Sequence, residues 1–179
     1  MKFWAAICAV VFFAIASARA ADQYRQVLKV EPLPTALDHN FKFRKIKQYL
    51  LSDLVGPQKG PKFSSTIVRD PSIGFERSYR LFGAVTSLDQ HLRYGDYLDF
   101  FWRARRPTEI TVRFEYREEK LRAFIQAREV TYPRAKGSHK TSFAVIGEDF
   151  FADGRILAWR CLLVEQGRIV AETRSYLWH

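Results

Sequence analysis

The chain is poor in the residues that build disulfide frameworks, metal centres and phosphate loops. Its 179 residues include two cysteines, Cys8 and Cys161, too few for a stapled scaffold. Four histidines stand far apart at 39, 91, 139 and 179, without the His-x-x-x-His or Cys-x-x-Cys spacing that gathers metal ligands. The nine glycines form no phosphate-cradling loop. Ser138-His139 sets a hydroxyl beside an imidazole, but adjacent residues make a poor nucleophile–base pair without a third, orienting group. Acids are also in short supply, 19 Asp and Glu against 29 Lys and Arg, for a formal charge of +10. These shortages exclude the common catalytic constellations, and the expectation is a non-enzymatic protein with no cofactor.

Long apolar runs are absent apart from one, Phe3–Ala16 in MKFWAAICAVVFFAIASARA. Lys2 before it and Ala18-Arg19-Ala20 after it read as an export leader cut before Ala21. A spanning helix needs roughly 20 apolar residues, more than this run offers. Removing residues 1–20 takes away Lys2 and Arg19 and no acid, so the charge falls from +10 to +8. The expectation is an exported protein, periplasmic or secreted, with no stable membrane span after cleavage. Its remaining thiol, Cys161, lies in the apolar run LAWRCLLV and should be buried and inert.

What the chain does have is material for a core: 47% of residues are apolar and 15% aromatic. Residues 21–75 read as an N-terminal extension. A short strand at 24–30 is ended by Pro32 and Pro34. In LDHNFKFRKIKQYLLSDLVG, Phe43, Ile46, Leu50 and Leu54 recur at helical spacing after Asp38 or Asn40 as cap, and Gly56-Pro57 stops the run. The predicted helix carries a basic face of Lys42, Arg44, Lys45 and Lys47, suited to a partner or an anionic surface. PQKGPK at 57–62 reads as an exposed loop.

From residue 76 to 179 the pattern is all-β. SYRLFGAVTS (78–87) reads as a first strand, followed by a turn in LDQHLRYGD. In YLDFFWRAR, Leu98, Phe100, Trp102 and Ala104 share one face, against Tyr97, Asp99, Phe101, Arg103 and Arg105. EITVRFEYR alternates in the same way, Ile110, Val112, Phe114 and Tyr116 against Glu109, Thr111, Arg113, Glu115 and Arg117. AFIQAREVTY, KTSFAVIG, GRILAWRCLLV and RIVAETRSYLW follow, the last two joined by a tight turn at Glu165-Gln166-Gly167. About seven strands with loops near 106–108, 117–120, 133–139, 148–154 and 165–167 predict an antiparallel β-sandwich.

This domain resembles an immunoglobulin-like or fibronectin-type-III-like sandwich at the level of architecture. Gly95-Asp96 before the second strand, Trp159-Arg160-Cys161 and the terminal Ser175-Tyr176-Leu177-Trp178 carry the resemblance. The chain departs from disulfide-bearing immunoglobulin domains in lacking a second core cysteine, and Asp153-Gly154 lies too far before Trp159 for a tyrosine corner. The resemblance implies that strands 97–105 and 109–117 belong to different sheets, the chain crossing at Arg106-Pro107. Their apolar faces then meet in one core, and Arg103 and Arg105 look out from the opposite side to Arg113 and Arg117. A hairpin at Arg106-Pro107 would instead bring all four arginines together.

Two binding functions are compatible with this reading. The first is an exported module for another envelope or secreted protein. The second is a polyanion binder recognising acidic glycans, anionic lipid or extracellular nucleic acid, motivated by the charge and by basic clusters. The candidate contacts are Arg134, Lys136, His139 and Lys140 in the expected loop RAKGSHK, with Tyr97, Phe101, Arg103 and Arg105 on the charged strand face. Phe101 and Tyr97 could stack on bases or sugars. Glu148, Asp149 and Asp153 could supply oxygen ligands to Ca²⁺, although their spacing is not that of an EF-hand and a solvated turn is the simpler reading.

Overall fold

A computed structural model describes residues 25–27, 30–52 and 71–179. The expected leader at 1–20 and the loop at 57–62 lie outside them. The elements in chain order are β1 (Arg25–Val27), β2 (Phe41–Leu51), α1 (Pro71–Arg80), α2 (Ser87–His91), β3 (Gly95–Glu118), β4 (Gln126–Ile146), α3 (Glu148–Asp153), β5 (Ile156–Glu165) and β6 (Arg168–Arg174). The fold is all-β with a few short helices. Among the described residues, six strands form one antiparallel sheet in the order β1-β4-β3-β5-β6, with β2 also paired to β3.

One strand organises the rest. β3 runs unbroken for 24 residues, merging the two strands expected at 97–105 and 109–117. Its first half pairs with β2 on one edge, its second half with β5 on that same edge, and β4 follows it on the other side throughout. Between Phe100 and Phe114 an extended strand would span about 46 Å at the usual rise. Their ring centroids are 5.6 Å apart, so the strand folds back over itself. Bulges between Ala104 and Thr108 and between Thr108 and Ile110 make the bend. Pro107 sits in this irregular stretch, where a missing N–H costs no ladder bond. Opposite Ala104, where the irregular stretch begins, Gly137 of β4 adopts φ +89°, a left-handed conformation that glycine takes without strain. Arg106 ties the corner down, its two terminal nitrogens donating to the Glu165 carboxylate at 2.6 Å each.

The even-numbered side chains of both halves therefore meet in a single core. Leu98, Phe100, Trp102, Ala104, Ile110, Val112, Phe114 and Tyr116 pack there with Phe143, Val145, Cys161 and Leu163. At Arg106-Pro107 the chain turns a corner within this one sheet: the expected crossing between separate sheets does not occur, and the hairpin alternative is excluded as well. The chain turns without ending the strand, because bulges allow a sheet to turn a corner while its ladder continues.

Three expectations need correction. The predicted helix after Asp38 is strand β2 over residues 41–51. A register shift between Phe43 and Lys45 lets Phe43 and Ile46, three apart, both face the core. The bulge thus mimics helical spacing. The expected strand 78–87 is instead the end of α1, a turn and the start of α2, which Thr86 caps by accepting from the Asp89 N–H at 3.1 Å. The expected loop at 133–139 is part of β4, which bends with β3 and does not break. With these changes the seven strands expected in 76–179 become four, and β1 and β2 from the expected extension bring the strands among the described residues to six.

Candidate anion-binding face

Cross-strand register decides which side chains share a surface, since paired residues project to the same side. On the outward side of the first half of β3, Arg103 lies between Lys42 of β2 and Ser138 of β4. The next rung places Phe101 between Lys45 and Lys140, and the next places Asp99 between Lys47 and Ser142. Lys42, Lys45 and Arg103 are exposed, and Phe101 is half-buried with the Lys140 ammonium 5.9 Å from its ring. Arg105 continues the exposed row and its backbone N–H donates to the Asn40 carbonyl at 2.9 Å.

Asp99 is the acid on these three rungs, and it is buried and neutralised. Ser142 donates to it at 2.6 Å, and Lys140 and Arg80 approach it at 3.0 and 3.6 Å. The face is thus cationic with one aromatic ring at its centre.

The candidate residues divide. Phe101, Arg103, Arg105 and Lys140 lie on this face, and Arg134 and Lys136 are exposed near the bend of β4. His139 does not join them. It pairs with Trp102 on the inward side, its ring 4.5 Å from the indole, and its Nε2 is 3.1 Å from the Lys136 carbonyl. Tyr97 is also lost as a contact. It is buried beneath the turn after α1, where its hydroxyl donates to the Arg93 carbonyl at 2.6 Å and the Arg80 guanidinium lies 4.4 Å from its ring.

Lys42, Lys45 and Lys47 belong to the face although sequence reasoning placed them on a separate helix. Their charge was visible in the sequence, but β2–β3 pairing gave them this address. The second half of β3 presents a different surface. Arg113 pairs with Glu129, Arg160 donates to Glu115 at 2.6 Å, and Arg117 lies 4.8 Å from the Trp178 ring. Its cations are engaged by internal partners, whereas among the described residues the side chains of Arg103 and Arg105 have none.

No group of three or more His, Cys, Asp or Glu side chains that could hold a metal occurs among the described residues. Asp149 is engaged by Arg128 at 2.7 Å. Cys161 is fully buried, and burial pushes its thiol well above its ordinary range, which leaves little nucleophilic thiolate. Comparison with family models, curated proteins and solved structures yields no match.

Proposed function

We propose that the protein is a non-enzymatic binder of polyanions and that the outward face of β2, β3 and β4 is its contact surface. The observation that carries this is the register itself: Lys42, Lys45, Arg103 and Lys140 project on one side around Phe101. Cations placed on a rigid sheet lose less entropy on meeting a row of negative charges than the same cations on a loose tail. A central aromatic adds a stacking or packing contact that is tolerant of sequence. For an exported chain, the corresponding polyanions are acidic glycans, anionic lipid or extracellular nucleic acid. Against a purely protein-binding module, the centre of the face is a single half-buried ring, where such interfaces usually place a larger apolar patch.

Retention on heparin tests the reading. Reversing Lys42, Lys45 and Arg103 to Glu should weaken binding by roughly tenfold or more and flatten its salt dependence. Arg25→Glu with Arg168→Glu and Arg174→Glu changes three exposed charges on β1 and β6 and serves as the control for net charge. Equal losses in the two sets would show that overall charge, and not this face, accounts for binding.

A further inference from the structure

Helix α1 is mounted with its polar side inward. Arg80 donates to Glu76 at 2.7 Å and reaches Asp99, while Arg77 donates to the Ser52 carbonyl at 3.4 Å. The apolar side faces out: Phe75 is 71% exposed and Tyr79 63%, their rings stacked 6.4 Å apart. The turn and helix that follow continue the pattern, with Phe82 80%, Val85 86% and Leu88 65% exposed. Arg93 holds this segment in place by donating to the carbonyls of Arg80 and Phe82, at 3.0 and 2.6 Å. An anchored segment that turns five large apolar side chains to solvent marks a binding surface.

Its position indicates what covers it. Asp99 is shared by Arg80 of α1 and Lys140 of β4, so the apolar segment and the cationic face adjoin on the same side of the sheet. A nucleic acid or an acidic glycan would engage the cations and leave Phe82, Val85 and Leu88 in water. An anionic bilayer presents both complements together, a plane of negative headgroups with hydrocarbon directly beneath. Neither partner alone binds a membrane firmly, but a basic patch and an apolar insertion reinforce one another.

We infer that the polyanion is an anionic lipid surface, with Phe75, Tyr79, Phe82, Val85 and Leu88 entering below the headgroups while Lys42, Lys45, Arg103 and Lys140 contact lipid phosphates. This rests on the reading of the sheet face as anion-binding and adds the lipid class to it.

The test uses the protein as isolated from cells expressing the full gene product, and vesicles of phosphatidylcholine with or without about a third phosphatidylglycerol. Binding should require the anionic lipid and weaken in high salt. The Phe75→Ser, Phe82→Ser, Val85→Ser variant alters exposed side chains and should retain wild-type heparin elution and circular dichroism. Its vesicle partitioning should fall roughly tenfold or more. In a Phe82→Trp variant, lipids brominated on the acyl chains should quench the added fluorescence.

Vesicle binding by the triple variant equal to wild type would overturn the insertion. So would heparin binding without vesicle binding, an outcome that leaves the broader polyanion reading standing. Loss of both heparin and vesicle binding in the wild type would remove both readings. Self-association of the wild type in lipid-free solution that the triple variant abolishes would assign the segment to contact between copies and overturn the lipid proposal.

Discussion

Glu118 shows how a single carboxyl couples this fold to pH. It is buried at the end of β3, where Oε2 accepts from the Gln126 amide and Oε1 has no hydrogen-bond partner among the described residues. Burial pushes its pKa up to about 7, and the charge of Asp153 adds to the effect while Arg128 opposes it. The folded state therefore holds a proton that the unfolded chain gives up near pH 4.5. Stability from this group is fully present below about 4.5 and is lost as pH rises through about 7. The ceiling on the loss is about 3 kcal/mol. Thermal unfolding should show a falling Tm between pH 5 and 8, and Glu118→Gln should remove most of that slope; parallel slopes for the two proteins would contradict it. Burial also raises Asp96, whose carboxylate accepts from the Ile156 N–H at 2.9 Å, so its contribution to pH dependence has the same sign. Gly95 is sensitive for a steric reason. Its φ is +147°, and a Cβ there would stand 2.1 Å from the Val145 carbonyl oxygen. Gly95→Ala should cost more than about 2 kcal/mol in denaturant titration, and a near-neutral result would mean that β3 and β4 can separate locally at little cost.

At the scale of elements, β2 and the β3 bend carry most of the information. β2 contributes Phe41, buried beside Ala104 with the Arg106 guanidinium 4.9 Å from its ring. Phe41→Ala should cost about 3–5 kcal/mol, measured by equilibrium unfolding, whereas an element merely resting on the domain would lose far less. Gly137 differs from Gly95 because a Cβ at 137 meets nothing within 4 Å. Gly137→Ala should therefore cost only the left-handed backbone penalty, about 1–2 kcal/mol. Legibility also varied by element. The two halves of β3 were readable because alternation with a buried and a polar face survives on either side of the bend. β2 was not, because one bulge converts period two into an apparent helical spacing at Phe43 and Ile46. The 78–87 segment was not, because its apolar side chains face solvent and any pattern read as core-directed assigns them wrongly.

For the whole molecule, the core is shared by both layers. Trp102 and Trp159 lie in the same cluster, although Trp102 belongs to the first half of β3 and Trp159 to β5 beside the second half. Tryptophan fluorescence and far-ultraviolet circular dichroism should report one coincident unfolding transition. Separate midpoints would show that the two layers unfold independently. The candidate site is also a property of this scale. Phe101 and Arg103 were recognisable as outward strand residues and Lys140 as a charge on an expected loop, but β4 and β2 were needed to complete the face, and the α1–α2 segment removed Tyr97 from it by covering it.

The sequence by itself determined an all-β domain, its inward aromatics, a buried thiol and an excess of positive charge, since composition and side-chain alternation are local properties. Only the tertiary structure decided that two predicted strands are one bent strand, that the lysines of 42–47 join Arg103 and Lys140, and that α1 turns its apolar side outward. Each of these depends on which strand pairs with which and in what register. Pairing of that kind brings together residues as distant as Lys42 and Arg103, a separation over which no periodicity in the sequence carries information.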